Sequence, residues 1–347
     1  MQYNAVNFFC GNIKKWSDII SNESRELSLE DLASRFVRGG DVWIVQTFYN
    51  LRKIGLPVQI SSRLNKDQIN IIHYDDVLNL SNFNDTFVVS VRADGDPLFV
   101  SNFEIVQNKS SIFSSNHHYI PHWPQPGIVK RDVSRGEKLE NIVYMGNKEN
   151  IDEFYTSAQF ISALDSLGMR LIIQDRDWWN YREADIVLAI RTGPPFFLST
   201  KPASKLVNAW IAGCPAILSQ ESGYRELKES NDDYIETLCP DDVLTALKRL
   251  YENPDLVLRM RENGHRRATA FSVEAIAKIW ERFLFHHVVR EYEEWQRVSA
   301  SSRKRRYLRS LFAKKIWGHW ADGRKLGWTS ELVGKFRRKL ALFVFNF

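Results

Sequence analysis

Short apolar runs, separated by stretches of helical period, recur along the whole chain. Ala5 to Phe9 reads as a first strand ending at Gly11. Ser28-Leu29-Glu30-Asp31 has the form of a capping box, a hydroxyl and carboxylates that satisfy the first helical N–H groups, and predicts a helix through Val37. Gly39-Gly40 breaks the chain before a helix from Asp41 to Ile54, in which Ile44, Phe48 and Leu51 share one face. Gly55 stops that helix, and Leu56 to Ile60 reads as the next strand, followed by Ile69 to Ile72, Phe87 to Val91 and Phe103 to Val106. Runs without polar alternation suit strands covered on both faces, so the pattern predicts a parallel sheet with helices around it.

A proline-rich break follows at Ile120-Pro121-His122-Trp123-Pro124-Gln125-Pro126-Gly127. Proline fixes its own backbone and restricts its predecessor, so this segment reads as an extended linker. The same alternation resumes beyond it. Strands are predicted at Asn141 to Gly146, Met169 to Ile173, Asp185 to Ile190 and Pro215 to Leu218. Helices are predicted from Ile151 to Leu167, Pro240 to Tyr251 and Asn253 to Asn263, with Ser272 capping a long helix through Trp295. The expectation is an α/β protein of two Rossmann-like, doubly wound domains, residues 1–125 and 126–285, facing a cleft. A basic helical extension, residues 286–347, is expected to cross back to the N-terminal domain, to face a membrane, or both. Clefts between such halves are common binding sites.

Composition narrows this picture. The chain has 347 residues, enough for two domains, with 44% apolar and 26% charged residues, as in a soluble globular protein. Cys10, Cys214 and Cys239 match neither a disulfide framework nor metal-ligand spacing. No basic start followed by an apolar run opens the sequence, and no apolar run has the length of a spanning helix, so the expected location is cytoplasmic. Residues 301–347 hold thirteen Lys or Arg against Asp322 and Glu331, a balance of +11. The whole chain carries +5, which leaves −6 on residues 1–300 and disfavours nucleic acid as a partner.

The most informative stretch runs from Asp185 to Glu226. An apolar strand leads to Arg191, and a short helix carries Ser204 and Lys205 in its first turn. Gly213-Cys214-Pro215 ends that helix and opens another strand, whose end delivers Glu221 and Ser222. A helix start with fixed cations at the carboxyl ends of parallel strands suits a nucleotide diphosphate. Asp185 to Ile190, Ala209 to Pro215 and Pro215 to Leu218 resemble the donor-binding elements of GT-B glycosyltransferases, most of all the large retaining family that uses nucleotide sugars (family 4-like). Tyr144-Met145-Gly146-Asn147-Lys148 is similar to that family's first C-domain strand and glycine turn, and Glu262 to Ser272 to its C-terminal helix pattern. The resemblance implies a hexosyltransferase with a nucleotide sugar as co-substrate and no cofactor, retention of configuration being carried by the resemblance alone. No Asp-x-Asp stands at a strand end in a metal-binding context, so the expected mechanism is metal-independent. The resemblance assigns Lys205 and Arg191 to the diphosphate, and Gly146, Asn147, Ser204, Asn208, Glu221, Ser222 and Glu226 to the donor. Where the family carries two glutamates this chain has Thr200 and Asn208, and a neutral amide holds a hydroxyl differently from a carboxylate.

In the first half, Gly39-Gly40 and the segment Val91 to Pro97 follow or precede apolar elements that point toward the expected cleft. Asp94 or Arg92 could orient an acceptor hydroxyl, with Asp94 as general base, and plain turns are the competing explanation for both segments. His117, His118 and His122 lack zinc spacing, and Trp178-Trp179 could stack a base or sugar or simply pack. The tail from Ser301 interleaves basic and aromatic residues, as an interfacial helix on anionic lipid does, and packing across the protein explains the same pattern. The functional expectation is a transferase of glycan or polysaccharide synthesis, acting on a glycan or lipid-linked acceptor, peripheral on the inner membrane face. A GT-B nucleotide-sugar epimerase and a non-catalytic nucleotide-sugar-binding protein anchored by its tail remain alternatives. A dinucleotide dehydrogenase is disfavoured, because no Gly-x-Gly-x-x-Gly follows an early strand.

Overall fold

Two wholly parallel sheets carry the chain. The computed structural model describes residues 6–21, 27–80, 82–191, 193–323 and 330–345. Ala5, expected to begin the first strand, lies outside them, as do residues 324–329 and 346–347 of the basic tail. The chain divides into two units. One contains residues 1–26, 36–121 and 276–347, and the other residues 27–35 and 122–275.

In the first unit β1 (Val6–Phe9), β2 (Val58–Ser61), β3 (Ile69–His73), β4 (Val88–Ala93), β5 (Phe103–Val106) and β6 (His117–Tyr119) lie in the order β2-β1-β3-β4-β5-β6. The order reverses between β1 and β3, and the crevice at such a switch point is where open α/β sheets bind ligands. The predicted helix from Asp41 forms as a wide turn, Asp41–Gln46, running into Thr47–Lys53. Its Ile44, Phe48 and Leu51 are buried as expected. Ser272 Oγ accepts the Ala275 N–H at 3.1 Å, and helical backbone then runs through Val273–Glu281, Arg282–Val288 and Val289–Arg297. The long helices Ala300–Gly323 and Ser330–Phe345 follow.

These C-terminal helices cover the first sheet with aromatic rings. Trp280 lies 6.4 Å from Phe8, Tyr292 and Trp295 pack edge-on against Phe87, and Tyr307 packs edge-on against Phe83 at 5.2 Å. Burying each such ring contributes roughly 2–3 kcal/mol. The tail from Ser301 therefore packs on the protein, while Leu308, Phe312, Leu342 and Phe343 stay exposed. Among the described residues no helix is long and apolar enough to cross a membrane.

In the second unit β7 (Asn141–Met145), β8 (Arg170–Gln174), β9 (Ile186–Ala189), β10 (Ala216–Ser219) and β11 (Ile235–Thr237) take the order β11-β10-β9-β7-β8. Successive side chains alternate between two cores, as strand geometry requires. Val143, Val187 and Leu218 enter one, and Ile142, Ile186, Leu188 and Ile217 enter the other. The helix expected from Ile151 begins later. Glu153–Thr156 is a tight turn, and Ser157 Oγ accepts the Phe160 N–H at 3.2 Å to start the helix Ala158–Ser166.

Asp185, the polar residue that opens the β9 run, is a fully buried carboxylate. It accepts hydrogen bonds from Arg131, from Arg135 and from the backbone N–H groups of Glu140 and Asn141. Burial works against its charge, but the bonds from Arg135, Asn141, Arg131 and Glu140 prevail and hold its carboxyl below the usual aspartate range. It fastens the amino ends of β7 and β9 together, which fixes what their carboxyl ends present.

Candidate functional site

The strand order of the second sheet reverses between β7 and β9, and a pocket of about 550 Å³ opens where those strands end. Gly146 and Asn147 follow β7, Arg191 follows β9, and the helix Ser204–Ala212 supplies Ser204, Lys205 and Asn208 to the same wall. Three features fix that helix. No side chain caps Ala203, so its first-turn N–H groups are left for other acceptors. Gly213 ends it at φ +77, a left-handed conformation that glycine adopts without strain. Behind it, a Cβ on Gly264 would stand 2.9 Å from Trp210, so a glycine is what lets the helix Pro254–Ala268 approach this closely.

Lys205 Nζ lies 4.3 Å from the centre of the Tyr144 ring and would be 3.2 Å from a Cβ at Gly146. It donates no hydrogen bond and forms no ion pair among the described residues; the ring face is its contact. Burial, reinforced by the charge of Arg191 and opposed by Glu221, lowers its pKa to about 8. Arg191 is held differently. Its Nη1 reaches Glu221 Oε2 at 2.8 Å, and its backbone N–H donates to Ser219 Oγ at 3.2 Å. Glu221 is only 1% exposed and also accepts from Ser219 Oγ at 3.1 Å. Burial pushes the Glu221 carboxyl up, against the pull of Arg191 and Ser219. The result is one cation clamped to a strand end and one without a counter-ion in contact, both on one pocket.

Tyr181 and Trp178 also line this pocket, and the Trp178 indole N–H is buried with no hydrogen-bond partner among the described residues. Asn208 Oδ1 accepts the backbone N–H of Gln125 at 3.1 Å, so that amide ties the linker to the helix. Thr200 Oγ1 donates to the Phe197 carbonyl at 2.9 Å. Ser222 lines a neighbouring pocket with Gln220 and Arg225, and Glu226 is half-buried outside both.

At the switch point of the first sheet, His73 ends β3 and its Nδ1 accepts the Asp75 N–H at 3.4 Å. A Cβ on Gly39 would come within 2.8 Å of His73 Nε2, so the glycine pair lets the next helix start against this ring. Burial lowers the His73 pKa, against the upward pull of Asp75, Asp94 and Asp41, and keeps the imidazole neutral at pH 7. Asp94 is exposed on the loop after β4, and Ala93 before it has φ +52. Arg92 is 3% exposed and is spent inside the unit, its Nη1 on Glu104 at 3.4 Å and its Nη2 on the Ser111 carbonyl at 3.1 Å. His117 completes that buried cluster, 3.8 Å from Glu104, and burial lowers its pKa to about 4.

No family model matches the sequence, and no curated protein is significantly similar to it. Solved structures do match the fold. Sucrose-phosphate synthase from Thermosynechococcus elongatus superposes with a TM-score of 0.51 at 11% identity, covering 81% of this chain and 98% of that one. AviGT4, a glycosyltransferase involved in avilamycin A biosynthesis, gives 0.51 at 12% identity over 83% of this chain and 99% of its own. The fold is GT-B. Both GT-B units have their pocket or cluster at the carboxyl ends of a switch point, as the sheet topology dictates.

Sequence reasoning named Gly146, Asn147, Arg191, Ser204, Lys205 and Asn208, and the GT-B structure gathers all six on one pocket. Glu221 stands behind Arg191 instead of lining it. Gly39, Gly40 and Asp94 lie at the carboxyl end of the first sheet, and Arg92 points into the core of its unit. His73 and Tyr144 were missed. The signal for His73 was a polar residue closing an apolar strand run, followed by Asp75-Asp76.

Proposed function

We propose that this GT-B chain is a glycosyltransferase that moves a sugar from a nucleotide donor to an acceptor hydroxyl. The observation that carries this reading is Lys205, a partly buried ammonium without a counter-ion in contact, beside Arg191 on the β7–β9 pocket. A buried cation without a partner is costly, and one that awaits an anionic ligand is accounted for. In the transfer, the bond from the anomeric carbon to the phosphate oxygen breaks and the diphosphate leaves with the electron pair. The acceptor oxygen bonds to that carbon and loses its proton to a base. Negative charge grows on the diphosphate as the bond breaks, so Lys205, Arg191 and the free N–H groups from Ser204 onward stabilise the transition state more than the ground state. Two fixed cations supply the countercharge, so the reading needs no metal ion. Asp94 or the neutral His73 takes the acceptor proton, as groups at the carboxyl end of the acceptor-side sheet. The Trp178 indole serves the nucleoside or sugar.

Retention of configuration and a role in polysaccharide or lipid-linked glycan synthesis belong to this proposal through the family resemblance. So does peripheral attachment to anionic lipid, supported by exposed Leu308, Phe312, Leu342 and Phe343 on helices rich in Lys and Arg. The test is donor turnover with radiolabelled nucleotide sugars. One donor is expected to release or transfer its sugar, and Lys205→Ala to reduce kcat/KM by about 10²–10³-fold. Undiminished turnover in that variant contradicts the assignment, and epimerised nucleotide sugar without transfer favours an epimerase.

A further inference from the structure

A parallel pair of strands needs a crossover, usually a helix that covers one face of the sheet. Residues 94–102, between β4 and β5, hold no helix, and residues 107–116, between β5 and β6, hold only the short turn Lys109–Ser111. The C-terminal helices take that place. Tyr307, Ser310, Ala313 and Trp317 of the helix Ala300–Gly323 recur at helical spacing and are all buried. Tyr307 shares a core with Leu98 and Val100, and the Trp317 ring lies 6.5 Å from that of Phe99. Arg337 of the helix Ser330–Phe345 holds its guanidinium 4.8 Å from the Trp317 ring centre and 5.6 Å from that of Phe113. Phe113 in turn stands 6.4 Å from Phe99.

Phe99 is the strained point of the β4–β5 crossover. Its φ of +61 is left-handed, a conformation that a bulky side chain keeps only when its surroundings impose it. Here they do so from two sides. Glu104, fully buried, accepts the Phe99 N–H at 2.7 Å and the Leu98 N–H at 3.0 Å through one oxygen, and Arg92 reaches the other at 3.4 Å. Trp317 and Phe113 close on the ring. Earlier in the same loop, Gly95 passes so near the Tyr74 ring that a Cβ would stand 2.7 Å from it, and Tyr74 follows His73. Exposed Asp94 therefore sits on a short span that rests on Tyr74 and is anchored at Phe99. We propose that Trp317 and Arg337 are positioning residues for Asp94. They hold Phe99 from behind, and Phe99 sets the path of the loop that presents Asp94 at the carboxyl end of the first sheet. That Asp94 meets an acceptor there rests on the glycosyltransferase reading above.

Amide hydrogen exchange on the full chain tests the anchoring, and acceptor kinetics test its consequence. Trp317→Ala is expected to speed exchange at Leu98 and Phe99 by about tenfold or more, with β1, β3 and the second unit unchanged. Trp317→Phe, which keeps a ring, is expected to leave it slow. Arg337→Met, a milder change at a half-buried position, is expected to speed it in the same two amides and serves where Trp317→Ala does not fold. Leu308→Ser, on the exposed side of the same helix, is expected to change nothing. In transfer, Trp317→Ala should lower kcat/KM for the acceptor by about tenfold, with nucleotide affinity and donor hydrolysis unchanged. Exchange at Leu98 and Phe99 as slow in both variants as in the wild type overturns the proposal. Equal acceleration throughout the first sheet, the same effect from Leu308→Ser, or undiminished acceptor kcat/KM in a variant whose loop exchanges faster overturns it equally. If the wild type turns over no donor, the transferase reading falls and the exchange outcomes still decide the anchoring.

Discussion

Lys205 concentrates the physics of the candidate site in one side chain. Its ammonium faces the Tyr144 ring, and burial together with Arg191 brings its pKa down to about 8. Below that value the group is charged and, on the reading proposed above, can serve a diphosphate; above it the group is neutral and that electrostatic contribution disappears. The pH profile of kcat/KM should therefore fall with a limb near pH 8, since this parameter reports the free enzyme. Lys205→Arg should shift the limb upward, because a guanidinium stays protonated throughout. A wild-type profile flat from pH 7 to 10 refutes the role. Lysine in the first turn of a helix after a strand was legible in the sequence. Its lack of a counter-ion in direct contact was not, because that depends on Glu221 choosing Arg191, a contact across 30 residues at 2.8 Å. His73 was hidden for the same reason: only the folded chain brings Gly39 against its ring.

At the scale of elements, the apolar runs were readable because strands covered on both faces need no polar alternation. β6, His-His-Tyr, and β11, Ile-Glu-Thr, are three residues each and carry no such run, so neither was anticipated. The Ile151 helix started late because Asp152 and Ser157 each cap a separate turn. Asp185 shows how a polar residue at the start of an apolar run can be architectural. Asp185→Asn leaves Arg131 and Arg135 without their shared carboxylate and is expected to destabilise the second unit by about 3–5 kcal/mol. The folded carboxyl titrates below its unfolded value, so its contribution is complete above about pH 4 and fades as pH falls through the folded pKa. Urea unfolding at pH 7 and at pH 3 checks both parts. The deficit of the variant relative to wild type should be smaller at the lower pH, and an equal deficit at both contradicts the electrostatic account.

For the whole molecule, the two α/β units and the helical end were legible from the pattern of strands and the proline-rich break. The detour of residues 27–35 was not: they fold with the second unit, and no local pattern announces it. A return of the C-terminal helices to the N-terminal domain was among the expectations, and residues from 276 onward fold with the first unit. The basic tail illustrates the limit of composition as a guide. Its Tyr307 and Trp317 pack on Phe83 and Phe99 of the first unit, yet Phe312 and Phe343 meet at 6.1 Å at exposed positions. If that face meets lipid, the protein should sediment with vesicles containing anionic phospholipid and not with neutral ones. The double substitution Phe312→Ser and Phe343→Ser should then weaken binding by at least about tenfold. Equal sedimentation of wild type and variant removes the membrane from the account.

The central claim is that the β7–β9 pocket holds the diphosphate of a nucleotide through Lys205. Calorimetric titration of the wild type and of Lys205→Met with UDP, GDP, ADP and dTDP at pH 7 tests it most directly. One nucleotide is expected to bind the wild type saturably, with affinity reduced by about 10²-fold in the variant, the loss of a charge-assisted contact to phosphate. Binding of equal strength to both proteins, or none to the wild type by any of the four, contradicts it.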